Sequence, residues 1–323
     1  MIQSESGFKP DSDDQFYLTD ISAKDKPWDI HRFQADQVRC LYRGTTFDRY
    51  AERIDNCSGL LEFSFLVNSE TAEIGLKLKT ARFCRVRHCP VCQWRRSLVW
   101  RARFFQALPK IRKEYPTARF LFLTLTVRNC EISDLRSQLA WMNKSWQRLA
   151  ERKQFPALGY LKSTEVTRSV DGTAHPHFHA ILMVNSSYFS HGYIPQAKWT
   201  ELWKESLRVD YTPILDVKAV KPSKGSSEEH LSDQLAKALC ETLKYSVKPD
   251  DLVADREWLL ELTTQLHKTR AVALGGVFKN FLSDDDPEDL IHIDENSDEP
   301  ISDNSLWFGW REMLQRYLKC QVD

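Results

Sequence analysis

The chain has 323 residues, of which 42% are hydrophobic and 28% are charged, and its formal net charge is zero. This composition is that of a globular protein with one large or two modest domains, and it excludes a disordered or fibrous chain. A net charge of zero also excludes a uniformly basic nucleic-acid binder.

The N-terminal segment, residues 1–30, is acidic and lacks hydrophobic periodicity, so it is predicted to be a flexible tail. Apolar runs such as FLFLTLTV are far too short to cross a bilayer, and the polar start does not resemble a signal peptide. We therefore expect a cytoplasmic protein that has no membrane partner.

Residues 31–115 are predicted to be a zinc-containing region, in which the segments LLEFSFLV and IGLKLKTARFC form a hairpin. Zinc takes four tetrahedral ligands, and a C-x-x-C turn presents two of them. The predicted ligands are Cys57, Cys84, Cys89 and Cys92. His88 in place of Cys57, a redox pair and ordinary buried thiols are the alternatives. The cysteines without such spacing are interpreted as packing residues: Cys40, Cys130, Cys240 and Cys320.

The segment QWRRSLVWRARFFQALPKIRKEYP is predicted to be a long basic amphipathic helix that ends before Pro116. Residues 81–150 carry 15 Lys or Arg against 3 Asp or Glu. Basic side chains beside aromatic ones suit DNA phosphates and stacked bases, although a solvated helix face explains the charges equally well. The predicted DNA contacts on this helix are Arg95, Arg96, Arg101 and Arg103, and Lys244 and Lys248, further along the chain, are predicted to contact DNA as well.

Residues 116–250 alternate between strand and helix patterns in the order βαββαβα. That order predicts an α+β fold with a ferredoxin-like antiparallel sheet and helices on one face. The remaining residues, 251–323, are predicted to be a helical extension that contains an acidic loop at 284–303 with 10 acidic residues.

One strand of this sheet, in TAHPHFHAILM, carries His175, His177 and His179 at alternate positions. Alternate side chains project from the same face of a strand, about 6 to 7 Å apart, so the row is a candidate metal or phosphate site. Glu165 lies in the partner strand of the predicted hairpin. Two imidazoles and a carboxylate suit a divalent cation and leave positions open for substrate oxygens.

The segment ETLKYSVK places Glu241 and Tyr245 four residues apart on a predicted helix, with Lys244 and Lys248 beside the tyrosine. A tyrosine becomes a nucleophile only when a metal-polarised phosphate, a cation or a base lowers its barrier. Taken alone, this spacing fits an ordinary core or interface tyrosine at least as well.

Together, FLTLT, HPHFHAILM and ETLKYSVK resemble the ordered motifs of the HUH endonucleases, and most closely the replication initiator (Rep) proteins of rolling-circle plasmids in bacteria. The segments FCRVRHCPVCQWRRS and WLLELTTQLHKTRAVALGGVFKNFL also resemble parts of such proteins. The resemblance spans roughly residues 55–282 and implies an HUH endonuclease core.

The resemblance also implies roles for individual residues. His177 and His179 would bind Mg²⁺ or Mn²⁺, with Glu165 as the third ligand. Tyr245 would attack the origin phosphodiester, leaving a 5′-phosphotyrosine link and a free 3′-OH, and Glu241 would activate water for release at termination. The implied partners are double-stranded and single-stranded origin DNA, a host helicase, a host DNA polymerase and a second copy of the chain.

Two other classes of protein remain open. The string HPHFHAIL also satisfies the pattern of histidine-triad nucleotide hydrolases and transferases, in which the middle histidine, here His177, is the nucleophile. A non-catalytic, zinc-containing DNA-binding regulator would need the cysteines and the basic helix but would make no use of Glu165 or Tyr245. Related HUH classes, the single-tyrosine transposases and the conjugative relaxases, share the motifs.

Overall fold

The computed structural model describes residues 16–67, 74–220, 228–244, 246–283, 285, 289–291 and 300–321. Internal contacts divide the chain into two compact units. One comprises Met1–Leu98 together with Pro287–Asp323, and it is called the terminal unit here because both ends of the chain belong to it. The other, Val99–Asp286, is called the central unit.

The described residues form a mixed α+β structure with antiparallel sheets. The helices are α1 Leu18–Ile21, α2 Lys26–Tyr42, α3 Asp48–Asp55, α4 Pro90–Glu114, α5 Leu135–Ala150, α6 Gln196–Leu207, α7 Glu228–Leu243, α8 Pro249–Val253 and α9 Arg256–Gln265. The strands are β1 Leu60–Val67, β2 Ile74–Ala81, β3 Arg119–Thr126, β4 Ala157–Arg168, β5 Ala174–Val184, β6 Leu215–Val220, β7 Val272–Gly276, β8 Pro300–Arg311 and β9 Arg316–Cys320. Within these ranges, no helix combines the length and the apolar character needed to cross a membrane.

The terminal unit contains a four-stranded antiparallel sheet in the order β2-β1-β8-β9. The predicted hairpin of β1 and β2 is confirmed. Aromatic rings fill the core of this unit, where Trp28 of α2 meets Phe63 of β1 edge to face at 6.4 Å. Large buried rings of this kind supply most of the apolar area that stabilises a small unit.

Two predictions about the ends of the chain are wrong for the described residues. Residues 1–15 of the predicted tail lie outside them. Leu18 and Trp28, however, are fully buried, and Tyr17 forms a bridge with Leu318 of β9. The predicted helical extension holds only for α8 and α9, since the chain after residue 271 forms β7, β8 and β9. Aromatic segments such as SLWFGW suit a half-buried strand, and β8 lies between β1 and β9. Most of the acidic loop 284–303 lies outside the described residues.

The central unit contains a five-stranded antiparallel sheet in the order β6-β3-β5-β4-β7. The element order β3, α5, β4, β5, α6, β6, α7 is the predicted βαββαβα, and β7 is an additional edge strand that pairs with β4. Hydrophobic residues of β5 face both sides of the sheet in alternation, so both faces are covered.

Helices cover both faces of this sheet, and the prediction of helices on one face is therefore wrong. On one face, α4 and α7 pack on β4 and β5 through a core that includes Phe104, Leu108, Leu161, Ile181, Met183, Leu235 and Leu239. On the other face, Trp146 of α5 meets Phe178 of β5 at 6.3 Å. The basic helix α4 belongs to this packing, because its apolar positions recur every three or four residues.

Candidate metal centres

The hairpin of β4 and β5 brings the predicted acidic residue and histidines together. In the strand register, Glu165 lies opposite His177, and Ser163 lies opposite His179. Opposite residues of an antiparallel pair have their side chains on one face, about 5 Å apart at Cβ. The alternation of the histidines along β5 therefore places both imidazoles on the face that carries Glu165.

The three side chains converge on one point. Oε2 of Glu165 lies 3.0 Å from Nε2 of His179 and 3.2 Å from Nε2 of His177. One ligand atom from each residue lies within 4.8 Å of the other two, and the residues are almost fully buried. Two imidazole nitrogens and one carboxylate oxygen in this arrangement could hold a metal ion. Glu165, His177 and His179 are called the metal group here.

Neighbouring groups orient both imidazoles. Nδ1 of His177 donates to the backbone oxygen of His175 at 3.2 Å, which leaves the lone pair of Nε2 for a cation. Nδ1 of His179 lies 3.1 Å from Oγ1 of Thr124, and the ring of Phe122 stacks on the His179 ring at 5.5 Å. Thr124 and Phe122 belong to the FLTLT segment of β3, so that motif supports the second histidine.

The charges around Glu165 favour its ionised form. Burial by itself raises the pKa of Glu165, but hydrogen bonds with His177 and His179 and the positive charge of Lys244 outweigh it and hold the pKa well below its usual range. Nζ of Lys244 lies 3.4 Å from Oε2 of Glu165 and 2.5 Å from Oε1 of Glu241. The carboxylate is therefore available as a ligand, and Lys244 links it to Glu241.

The third histidine, His175, belongs to a separate hydrogen-bond network. The amide nitrogen of Asn129 donates to Oγ of Ser169 at 2.7 Å and to Oγ1 of Thr173 at 3.0 Å. The hydroxyl of Thr173 in turn donates to Asp171 at 2.6 Å. The carbonyl oxygen of Asn129 is thereby turned towards His175 and accepts from its Nδ1 at 2.6 Å. His175 is not in the metal group, and sequence reasoning missed Asn129 because the two are 46 residues apart.

The segment after α7 runs beside β4. The hydroxyl of Ser163 donates to the backbone oxygen of Thr242, and the backbone N–H of Val166 donates to the oxygen of Ser246 at 2.9 Å. The predicted helix ends at Leu243, which places Glu241 in its last turn. Tyr245 lies outside the described residues, so its helical spacing from Glu241 stays a prediction.

A second group, in the terminal unit, consists of the four predicted cysteines. Sγ of Cys92 lies 3.6 Å from that of Cys57 and 3.5 Å from that of Cys84, and Sγ of Cys89 lies 3.7 Å from that of Cys57. All four are buried and free of disulfides. Sulfurs held about 2.3 Å from one tetrahedral metal ion would be about 3.8 Å apart, so the group could hold such an ion.

Backbone N–H groups also donate hydrogen bonds to these sulfurs. The N–H of Arg85 donates to Sγ of Cys92 at 3.2 Å, and Arg85 adopts a left-handed φ of 56° that turns the loop around the thiols. Burial raises the pKa of the Cys84 and Cys89 thiols, and a bound dication is what would make thiolates stable there.

The structure also locates His88, the alternative ligand, and the four cysteines that were predicted to be packing residues. His88 is fully buried but lies outside the cysteine group, so it does not replace Cys57. Cys320 is buried, as expected for a packing residue, whereas Cys40 is exposed because α2 turns that position outward. Cys130 and Cys240 are half-buried.

The residues predicted to contact DNA differ in their exposure to solvent. Arg95 is buried: Nε donates to Leu290 O at 2.8 Å, Nη2 donates to Ile291 O at 2.9 Å, and the guanidinium lies 5.2 Å from the Trp28 ring centre. It is therefore a structural residue, and its prediction as a DNA contact is wrong. The others are partly or fully exposed: Arg96, Arg101, Arg103, Lys244 and Lys248.

Fold and sites together define a mixed α+β protein in which two groups of side chains could hold metal ions. Residues 75–318 match the Rep_1 family, described as Replication protein. The chain belongs to this family, and the predicted resemblance to Rep proteins of rolling-circle plasmids is confirmed.

Similar proteins include the Protein rep of Streptococcus pneumoniae, 32% identical over 91% of this chain and 92% of that one. The Protein rep of Lentilactobacillus hilgardii is 35% identical over 86% and 90% of the two chains. That of Lactiplantibacillus plantarum is 38% identical over 68% and 73%. No solved structure matches the chain.

Proposed function

We propose that this protein initiates plasmid rolling-circle replication by nicking one strand of the origin, with Tyr245 as nucleophile. The observation that carries the proposal is the convergence of Glu165, His177 and His179 on one point of the sheet. Membership of the replication protein family supports it. The sheet order β6-β3-β5-β4 is that of a ferredoxin-like unit, which supports an HUH endonuclease core.

The position of the chain around Tyr245 supports its role. Lys244 contacts Glu165, and Ser246 accepts a hydrogen bond from Val166, the residue after Glu165. These contacts place Lys244 and Ser246, the sequence neighbours of Tyr245, at the end of β4 that carries Glu165.

The proposed reaction is an in-line displacement at phosphorus. The phenol oxygen of Tyr245 gives its proton to water and forms a bond to the origin phosphorus, while the bond from phosphorus to the 3′ oxygen breaks and that oxygen takes a proton from water to become a free 3′-OH. Mg²⁺ or Mn²⁺, held by Glu165, His177 and His179, would neutralise and polarise the phosphate. Lys244, partly exposed beside Glu165, would add a positive charge near the phosphate.

Glu241 is proposed to act in the release step. Its side chain is half exposed and is bound to Lys244 at 2.5 Å, so water reaches its carboxylate. As a general base it would take a proton from the water that attacks the phosphotyrosine bond. Glu241→Gln should permit the first cut and slow turnover, and unchanged turnover would contradict the assignment.

The cysteine group is proposed to hold structural Zn²⁺, because four buried sulfurs about 3.6 Å apart match tetrahedral thiolate ligands. We further propose that origin DNA, double-stranded and single-stranded, binds through the exposed basic residues Arg96, Arg101, Arg103, Lys244 and Lys248. A host helicase, a host DNA polymerase and a second copy of the chain are the proposed partners, in the bacterial cytoplasm.

The experiment that tests the proposal is a denaturing gel of wild type and Tyr245→Phe after incubation with Mn²⁺ and single-stranded DNA of the encoding plasmid's origin. A slower protein band in wild type alone would support the tyrosyl-DNA link. Attachment at His177 would instead favour a histidine-triad enzyme. Absence of an adduct from metal-loaded wild type would contradict nicking and favour a non-catalytic DNA-binding regulator.

A further inference from the structure

Three loops of the central unit meet at the end of the sheet where His177 lies. Thr126, the last residue of β3, is opposite His177 in the register, and its backbone N–H donates to Ile214 O at 3.1 Å. Four residues further on, the backbone of Cys130 pairs with Ala174 of β5. The loop after β3, the turn before β5 and the loop before β6 therefore form one rim beside the metal group.

Arg128 and Tyr211 form a stacked pair on this rim. The guanidinium carbon of Arg128 lies 4.1 Å from the centre of the Tyr211 ring, and the backbone N–H of Arg128 donates to the Tyr211 hydroxyl at 3.3 Å. Arg128 is exposed and, among the described residues, forms no ion pair. Ile214, beside the pair, has 74% of its surface exposed.

Hydrogen bonds outside this pair also hold the rim together. Nε1 of the buried Trp203 donates to Thr126 O at 3.0 Å, and the hydroxyl of Thr126 donates to Ile214 O at 2.9 Å. These bonds tie α6, β3 and the loop before β6 together. The exposed guanidinium of Arg128 over the Tyr211 ring is therefore an additional feature of a rim that these bonds already join.

We propose that Arg128 and Tyr211 form a nucleotide-binding subsite, which holds single-stranded DNA next to the His177 end of the metal group. This inference rests on the proposed nicking function. The exposed guanidinium complements a backbone phosphate, and the ring and guanidinium planes are surfaces on which a base stacks. Ile214 extends the apolar surface available to the next base.

Fluorescence anisotropy with labelled oligothymidylate, without added Mn²⁺, tests this subsite apart from cleavage. Loss of one stacked base should make Tyr211→Ala bind about tenfold more weakly, while Tyr211→Phe, which keeps the ring, should stay within about twofold of wild type. Arg128→Ala should bind the oligonucleotide about five- to tenfold more weakly, and its affinity should depend less steeply on salt concentration. Binding of Tyr211→Ala and Arg128→Ala at wild-type strength would overturn the proposal.

Arg119→Ala is the matched control. Arg119 is an exposed arginine at the other end of β3, and among the described residues it donates only to nearby backbone oxygens, Thr117 O at 3.3 Å and Ala118 O at 3.1 Å. It should leave binding unchanged. A loss equal to that of Arg128→Ala would show a general charge effect and overturn the subsite. If Tyr211→Ala fails to fold, Arg128→Glu compared with Arg119→Glu makes the same distinction.

The two experiments distinguish failure of the subsite from failure of the nicking function. A wild-type covalent adduct together with unchanged oligonucleotide binding by the variants would reject the subsite and keep the function. Weakened binding by the Arg128 and Tyr211 variants, with no adduct formed by wild type, would keep a single-stranded DNA site and reject the function.

Discussion

Nε2 of His179 and Oε2 of Glu165 lie 3.0 Å apart across neighbouring strands, although the two residues are 14 positions apart in the chain. The hairpin register produces this contact, because Glu165 faces His177 and His179 lies two residues further along the same face. The hairpin therefore assembles the group of side chains that could hold a metal ion.

The first prediction concerns the ligand set. Glu165→Gln should weaken Mn²⁺ binding by roughly 100-fold, because it removes the one carboxylate ligand of the group. Titration followed by the electron paramagnetic resonance of free Mn²⁺ measures the effect. Glu241→Gln, which removes a half-exposed carboxylate outside the group, is the control and should change affinity less than threefold. Equal losses in both variants would contradict the assignment.

The second prediction concerns the cysteine group. Cys89→Ser should release zinc and unfold the terminal unit, since structural zinc contributes about 10 to 16 kcal/mol, as much as the whole stability of a typical domain. Zinc content by mass spectrometry and the melting temperature report the result. Cys40→Ser, at an exposed position of α2, should retain both. Wild type that contains no zinc would refute the site.

The third prediction compares the buried Arg95 with Arg101, an arginine of the same helix that is proposed to contact DNA. Arg95→Ala should lower the melting temperature by roughly 5 to 10 °C, because a buried cation that binds two backbone oxygens is lost. Arg101→Ala, on the same helix but partly exposed, should melt like wild type. Thermal unfolding of both proteins is the measurement. If Arg95→Ala melts at the same temperature as wild type, the contacts of Arg95 contribute nothing to the stability of the fold.

The fourth prediction concerns Lys162, a buried lysine of β4. Burial lowers the pKa of Lys162 to about 7, while its ammonium lies 3.6 Å from the centre of the Phe178 ring and donates to Asn143 at 2.8 Å. The unfolded chain, with a lysine pKa near 10.5, holds the proton more tightly. The free energy of unfolding should therefore rise with pH between about 7 and 10.5. Below pH 7 the lysine is protonated in both states, and the full cost of burying its charge lowers the stability of the folded protein.

Lys162→Met removes this titration. It should be more stable than wild type by a few kcal/mol at pH 6, and the difference should shrink towards pH 10. Chemical denaturation of both proteins across that range is the measurement, with exposed Lys144→Met as the control. A difference that does not change with pH would show that Lys162 stays charged when buried.

Local patterns in the sequence were sufficient for much of the central unit. The alternation of His175, His177 and His179 predicted a strand with one polar face, and the turn VDGTA predicted its hairpin with the strand that holds Glu165. The C-x-x-C turn and Cys84 predicted three members of the cysteine group. These predictions succeed because each depends on residues whose relation is fixed by strand or turn geometry.

The rest was decided by tertiary structure. Arg95 has the same sequence character as its exposed neighbours, and only the return of residues 290 and 291 to the terminal unit makes it structural. β8 pairs with β1 across more than 200 positions, a pairing that no local pattern encodes. Likewise, Asn129 and Tyr211 come to the rim of the site only because β3, β5 and β6 pair as neighbours. Sequence periodicity determines which face a side chain takes, and strand pairing determines which side chains meet there.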